Sequence, residues 1–310
     1  MTEATISGTG LLQGVAPLPD LGVIRVSGAD AASFLHGQLT QDFLLLPDGQ
    51  ARLAGYCSAK GRLLASFVGL RLSADELWLV CPRPVLAATL KRLSMFVLRA
   101  KAKLVDASAE LTVLGLAGDA ALPAAAAWSA RPLAGGHAIS LYPALGVARA
   151  LWIGPAAGGR PAGPGLDAGL WAWSEVRSGV ATLDARLADT LVPQMLNYES
   201  VGGVSFKKGC YPGQEVVARS QFRGTLKRRT QLAHTDSETL VLPGEEVFAE
   251  GDAADQPSGL VAECAASPQG GQDLLLVLQL ASLGRTLHLG SPEGPVLTLL
   301  ALPYPLLEDL

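Results

Sequence analysis

The pattern of apolar residues and turns changes after Arg229, and this change constrains the fold more than any other feature of the sequence. Beyond it, the short apolar runs 259–264, 274–279 and 296–300 alternate with turns that contain Gly or Pro. Short strands separated by frequent turn signals are typical of a small barrel or sandwich. We therefore predict a C-terminal β-barrel domain over 229–310.

The part of the chain before that boundary mixes strand and helix patterns. A helix is predicted over 84–96, where apolar residues recur at helical spacing. Short strands are predicted at 22–26, 52–57, 63–72 and 77–81. At about 150 residues per domain, the 310 residues suggest two domains. We predict a first domain over 1–228 that mixes helices and strands.

The segment 97–104 alternates with a period of two residues. One face carries Val97, Arg99, Lys101 and Lys103, and the other carries Leu98, Ala100, Ala102 and Leu104. This pattern predicts a half-buried strand with a basic outer face. Such a face is either an ordinary solvated sheet surface or the wall of a cleft that binds anions.

Composition and charge exclude several classes of protein. Hydrophobic residues make up 49% of the chain and charged residues 17%, which is a globular composition. The net charge is −4, whereas a dedicated nucleic-acid domain is usually basic. The first ten residues show no secretory signal, and no apolar stretch of about 18 residues occurs. We therefore expect a cytoplasmic protein with no membrane partner.

The cysteines and histidines show no metal-ligand spacing. The chain has four cysteines, and no two of them form a Cys-x-x-Cys pair. Structural zinc sites and iron–sulfur clusters usually show such close ligand pairs, and disulfides are rare in the cytoplasm. We expect neither a disulfide framework nor a stably bound metal.

Basic residues are concentrated at 207–229. Seven of the 24 basic residues fall within these 23 positions, and Glu215 is the only acid there. They are Lys207, Lys208, Arg219, Arg223, Lys227, Arg228 and Arg229. The cluster would create a local positive potential for carboxylates or phosphates, or it is simply an exposed basic edge at a domain junction.

The same region contains the segment most typical of a functional loop, Lys208-Gly209-Cys210-Tyr211-Pro212-Gly213-Gln214-Glu215. The glycines permit backbone angles closed to other residues, and the proline stiffens the turn. A neighbouring lysine would favour the thiolate of Cys210, which is its nucleophilic form. The alternative is a small buried cysteine, but its neighbours are not apolar. We predict a rigid turn that presents Cys210 to a positively lined cavity.

These motifs resemble those of a known family. The segment 206–215 closely resembles the signature of the YgfZ family, Lys-Gly-Cys-Tyr-x-Gly-Gln-Glu. The segments 27–30 and 37–42 resemble the opening motif of that family, and 59–62 resembles its next motif. The resemblance spans most of the chain, and the central motif is highly specific.

The resemblance implies a fold and a ligand. The fold would be α+β and similar to the T protein of glycine cleavage, with two intertwined ferredoxin-like units within 1–228 and a C-terminal β-barrel around a central cleft. The inner of the two units would span about 46–150. The cleft would bind tetrahydrofolate or another folate, with Trp171 stacked on its ring. Arg99, Lys101 and Arg177 are the candidates for its carboxylates.

The resemblance also implies an activity, with Cys210 and Lys208 at its centre. Lys208 would tune the thiol, and the remaining motif residues would support the loop or the ligand. These supporting residues are Gly209, Tyr211, Gly213, Gln214, Glu215, Arg219 and Arg223. The leading hypothesis is a folate-dependent accessory protein for iron–sulfur client enzymes, including those that modify tRNA.

Two alternatives remain at this point. The first is a folate-dependent aminomethyltransferase like the T protein. That protein keeps acidic residues at two places where this chain has Arg177 and the basic residues of 97–104, so the standard transfer is not expected. The second is a tRNA-binding protein that makes weak contacts through 207–229.

Overall fold

The computed structural model describes residues 10–121, 123, 125–222 and 226–307. The described residues form two antiparallel sheets and a closed barrel. The first sheet has five strands in the order β3-β4-β5-β2-β6. These strands are β2 Leu21–Ser27, β3 Gln50–Cys57, β4 Leu63–Ser73, β5 Glu76–Pro82 and β6 Lys103–Asp106. Helices α1 Ala31–His36 and α2 Arg83–Met95 cover one face of this sheet.

The second sheet has the strand order β1-β7-β10-β9-β8. Its strands are β1 Gly14–Pro17, β7 Leu111–Ala117, β8 Ala130–Leu133, β9 Gly136–Ser140 and β10 Arg149–Pro155. Successive side chains of a strand point to opposite faces, so Val113 of β7 packs toward the first sheet. Leu114 and Leu116 lie in a separate cluster on the other face.

Helix α3 Ala168–Arg177 joins the second sheet to the barrel. Asp167 caps its first turn by accepting hydrogen bonds from Gly169 N and Leu170 N at 2.8 and 3.2 Å. Trp171 and Trp173 are both buried on this helix. Trp173 Nε1 donates to the carboxylate of Asp273 in the barrel, at 2.7 Å.

The C-terminal part forms a closed barrel in the order β11-β14-β13-β12-β15-β16. Its strands are β11 Arg228–Thr235, β12 Glu246–Ala249, β13 Gly259–Ala266, β14 Gln272–Gln279, β15 Leu287–Leu289 and β16 Val296–Leu300. Leu274, Leu276 and Leu278 of β14 alternate into the barrel core. Helix α4 Gln214–Phe222 precedes the barrel. In the described ranges, no helix is long and apolar enough to cross a membrane.

The predicted strand over 97–104 is wrong for most of its length. Only Lys103–Asp106 pairs with β2, and the residues before it form a tight connection from α2. Leu98 has a φ of +41°, and its predicted burial is also wrong because it is 87% exposed. The alternation fails because the chain must turn back from the helix before it reaches the sheet edge. Lys101 N bonds Asp30 Oδ2 within this connection, at 2.7 Å.

Gly115 in β7 allows the second sheet to approach α3. A β-carbon at this position would lie 2.5 Å from two ring atoms of Trp171. Because the indole is 2% exposed and the helix is held on its other side by the barrel, the ring has little room to move.

We expect Gly115→Ala to lower the free energy of unfolding by about 1–3 kcal/mol, because it overpacks the core. Gly165→Ala is the matched control, since no heavy atom lies within 4 Å of its β-carbon. Urea denaturation of both variants measures the difference. Equal stability of the two variants would show that the sheet does not need this close approach.

Candidate functional site

Two glycines lock the turn that carries Cys210 to another turn of the chain. Gly213 has a φ of +80° and Gly61 has a φ of +72°. A β-carbon on Gly213 would lie 2.4 Å from the carbonyl oxygen of Ser58 and 2.6 Å from the nitrogen of Gly61. Only glycine permits this approach. The turn at 58–61 therefore packs backbone to backbone against the cysteine loop.

Lys208 anchors the loop at the end of α1. Its Nζ donates to the carbonyl oxygen of Leu39 at 2.8 Å and to that of His36. It also lies 4.5 Å from the ring centroid of Tyr211. The carbonyl of His36 is free to accept because it lies at the end of α1, where carbonyls have no intrahelical partner, and Leu39 lies three residues beyond the helix. Burial lowers the pKa of Lys208 to about 8, although Asp42 and a Cys210 thiolate favour its charged form.

The opening-motif segment 37–42 forms hydrogen bonds with the irregular segment 202–205, which leads into the cysteine loop. Thr40 Oγ1 donates to the carbonyl oxygen of Gly203 at 2.6 Å, and Gln41 Nε2 donates to that of Gly202 at 2.8 Å. Ser205 N returns a hydrogen bond to the carbonyl oxygen of Thr40 at 2.9 Å. The three sequence motifs at 37–42, 59–62 and 206–215 are therefore brought together in space.

His36 lies against the loop, and sequence reasoning missed it. Its Nδ1 is 3.0 Å from Asp42 Oδ1, and its Nε2 accepts from Gly209 N at 3.3 Å. Because Nε2 accepts, the proton of the neutral ring sits on Nδ1 and points to Asp42. Its position beside the opening motif was the available signal.

Cys210 differs in environment from the other three cysteines. It is exposed, whereas Cys57 and Cys81 are buried and Cys264 is partly buried. Burial raises the pKa of Cys57 and of Cys81 to about 12, and that of Cys264 to about 11. These three thiols stay neutral at physiological pH and are suited to packing. Cys210 is the thiol that a reagent or partner can reach.

Helix α4 begins directly after the cysteine loop. Gln214 is its first residue, and Glu215 pairs with Arg219 at 3.0 Å in an exposed contact one turn apart. Such an exposed pair contributes little to stability. Arg223, the remaining predicted support residue, lies outside the described residues.

A separate cavity of about 90 Å³ lies where the two sheets meet α3; we call it the central cavity. This volume is several times what one water molecule requires. Its apolar and aromatic walls include Leu53, Phe67, Val68, Val80, Trp128, Tyr142 and Leu151. In the described lining, the charged side chains are Arg149 and Glu175.

The charges of the central cavity are only partly compensated. Arg149 Nη2 is 3.7 Å from Glu175 Oε1, and its guanidinium carbon is 4.5 Å from the ring centroid of Trp171. Arg149 Nε is buried without a hydrogen-bond partner among the described residues. Burial raises the pKa of Glu175 and lowers that of Arg149, and burial with the charge of Glu175 raises the pKa of Glu263 to about 8. Unsatisfied buried groups of this kind favour a polar ligand.

The residues predicted for folate lie elsewhere. Arg99 and Lys101 lie in the connection before β6, at the edge of the first sheet, and Arg177 pairs with Asp273 of the barrel at 3.2 Å. Trp171 lies behind the cavity, packed on Arg149, rather than in its lining. The sequence analysis missed Arg149 and Glu175, although a lone charge within an apolar strand or helix was a signal.

Cys210 does not line the central cavity, and its predicted contact with a positively lined cavity stays a prediction. The central cavity is lined by residues between 21 and 182, and its lining contains none of the loop 206–215. Lys208 closes the loop onto the end of α1 instead, through its hydrogen bond to the carbonyl oxygen of His36. The chain therefore has two candidate sites, the central cavity and the surface thiol.

We expect Gly213→Ala to disturb the cysteine loop strongly. A left-handed backbone costs an alanine about 1–2 kcal/mol, and the contact with Ser58 and Gly61 adds about 1–3 kcal/mol. Gly146→Ala is the control, because it has a φ of +78° and no heavy atom within 4 Å of its β-carbon. Urea denaturation should show the larger loss for Gly213→Ala. An equal loss of stability in the two variants would show that the contact of Gly213 with Ser58 and Gly61 does not stabilise the loop.

Known proteins resemble the chain over most of its length. It is 32% identical over 301 residues to the tRNA-modifying protein YgfZ of Edwardsiella ictaluri (strain 93-146), covering 91% of this chain and 89% of that protein. It is 31% identical over 227 residues to the tRNA-modifying protein YgfZ of Klebsiella pneumoniae (strain 342), covering 68% of each. No family model matches the chain.

The fold also matches a solved structure, the glycine cleavage system aminomethyltransferase T from Bartonella henselae. The TM-score is 0.66 at 15% identity, over 96% of this chain and 88% of that one. This likeness confirms the predicted T-protein-like fold class, with its closed C-terminal barrel. The sequence identity to the curated relatives shows the family: this chain belongs to the YgfZ family.

Proposed function

We propose that the chain is a folate-binding accessory protein that supports the assembly or repair of iron–sulfur clusters and thereby tRNA modification. Its relatives carry the name tRNA-modifying protein, which supports a role connected with that process. The observation that carries the folate part is the central cavity, with its aromatic walls and the incompletely paired guanidinium of Arg149.

The residues of the central cavity fit a folate ring chemically. The pterin is flat and heteroaromatic, and its edge presents neighbouring N–H donors and a carbonyl oxygen. Glu175 would accept from the donors, and Arg149 would donate to an oxygen of the ligand through its free Nε. Trp128, Tyr142 and Phe67 provide the apolar contact that a flat ring requires.

Trp171 has an indirect role in this proposal. Its indole supports the guanidinium of Arg149 at 4.5 Å, and Gly115 holds the indole in place. An indole stacked on a planar guanidinium limits the motion of the guanidinium and leaves its hydrogen-bond donors free. The aromatic ring therefore positions the cation that meets the ligand.

Cys210 would act on the client enzymes. An exposed thiol on a loop held at both ends can serve as a nucleophile, a redox group or a transient metal ligand. One cysteine cannot hold a whole iron–sulfur cluster, so any contact with a cluster would be shared with the client. The separation of the thiol from the central cavity lets a macromolecule reach it while a folate is bound.

We expect tetrahydrofolate to bind and to change the tryptophan fluorescence, because Trp128 lines the central cavity. Glu175→Gln should weaken binding about tenfold, since it removes a charge-assisted hydrogen bond. Because burial raises the pKa of Glu175, its charged fraction falls as the pH is lowered, and this fall begins at a higher pH than for an ordinary glutamate. Binding should weaken with it in the native protein and stay flat in Glu175→Gln.

The controls use the same fluorescence titration. Lys91→Ala changes an exposed residue outside the cavity lining and should bind normally. Formyl and methyl derivatives of tetrahydrofolate identify the preferred species. The absence of a response to every folate would reject the folate part of the proposal.

We expect Cys210→Ser to fail in restoring iron–sulfur enzyme activity to a strain that lacks its own family member. Cys264→Ser is the matched control, because that thiol is partly buried and donates to the carbonyl oxygen of Val241 at 3.0 Å. A serine hydroxyl can make the same bond, so this variant should restore activity. Full restoration by Cys210→Ser would defeat the role of the thiol, whatever the folate titration shows.

A further inference from the structure

The basic residues of 207–229 fall into two groups in the structure. Lys208 is buried against carbonyl groups, and Arg229 is buried in an ion pair with Glu199 at 2.6 Å. Arg219, Lys227 and Arg228 instead reach the surface. Some of the cations at 207–229 therefore stabilise the fold, and others are free to bind a ligand.

Arg219, Lys227 and Arg228 line a single groove of about 530 Å³, which we call the basic groove, whereas the exposed Lys207 does not line it. Arg219 comes from α4, and Lys227 and Arg228 come from the start of β11. The apolar side chains of Val192, Met195 and Leu226 also line it, together with Ser220 and Gln279. The described lining contains three cations and no carboxylate, although Glu215 pairs with Arg219 at 3.0 Å, and this charge pattern favours anions in a chain whose net charge is −4.

We propose that the basic groove binds a segment of single-stranded RNA. The three cations suit successive phosphates, and guanidinium groups match phosphate oxygens in a bidentate manner. The apolar side chains offer a surface for ribose and base, as grooves for single strands do. Ser220 and Gln279 already donate to the carbonyl oxygens of Val216 and Pro257, so their own side-chain oxygens would accept from a 2′-hydroxyl.

The form of the groove favours this ligand over others. A concave space of about 530 Å³ is in the range that encloses a ligand the size of roughly one or two nucleotides. A small anion would leave the apolar wall uncovered. Arg219 is available because its partner Glu215 is 85% exposed and the pair is weak. The proposal does not depend on folate binding or on Cys210.

Fluorescence anisotropy with a 5′-labelled single-stranded RNA of about ten nucleotides tests it, without folate present. For three phosphate contacts, the logarithm of the binding constant should fall with the logarithm of KCl concentration with a slope of about −2. Lys227→Ala/Arg228→Ala should reduce the affinity at least about tenfold and the steepness of that slope by about 1.4.

A second variant and a control keep the test decisive. Arg219→Ala lies on a different element, and it should reduce the slope by about 0.7 even if the double variant folds poorly. Lys91→Ala/Arg160→Ala removes two exposed charges outside the groove and should bind RNA like the native protein.

Four results would overturn the proposal. They are no binding of the native protein at low salt, binding that is insensitive to salt, an equal loss in the control, and preference for an acidic peptide over RNA. Equal binding of DNA with the same sequence would also contradict the assignment to RNA, because DNA lacks the 2′-hydroxyl.

Discussion

A buried lysine at the end of a short helix holds the functional loop of this protein in place. Lys208 donates to two carbonyl groups of the chain segment that follows α1 and lies over the ring of Tyr211. A buried ammonium is stable only when its donors are satisfied, so the loop must stay where those carbonyls are. The close approach of Gly213 and Gly61 fixes the other end. Cys210 lies between these two anchors and is exposed.

The second constraint is a cluster of buried ionisable side chains near the central cavity. Arg149, Glu175 and Glu263 are brought together from three different parts of the fold, and burial shifts the pKa of each toward its neutral form. Stability alone does not favour such a cluster, because buried ion pairs gain little over apolar packing. A ligand that supplies the missing hydrogen bonds offers a reason for it. The cavity and the thiol are thus separate parts of one proposed function.

The sequence predicted those features that depend on local pattern. The helix expected at 84–96 is α2, because its apolar spacing and its proline near the start agree. The turn that carries Cys210 was also predictable, since the neighbouring glycines and proline specify a turn whatever packs around it. The strand expected at 97–104 failed, because a few alternating residues cannot show that the chain must first turn back from a helix.

The sequence could not predict the long-range contacts. Arg149 and Glu175 are far apart along the chain and meet only because α3 packs on the second sheet. His36 and Gly209 meet across a separation of 173 residues. Trp171 was expected to stack on the ligand, but it lies outside the lining of the central cavity, and its packing on Gly115 and Arg149 is visible only in three dimensions.

The proposed role of Cys210 requires that its thiol is held at the surface, outside the central cavity. Alkylation of the native protein with iodoacetamide, followed by peptide mass mapping, tests this directly. We predict rapid modification of Cys210, no modification of the buried Cys57 and Cys81, and an unchanged rate at Cys210 when tetrahydrofolate is added at saturation. Protection of Cys210 by the folate, or reaction of it only after denaturation, would contradict the account.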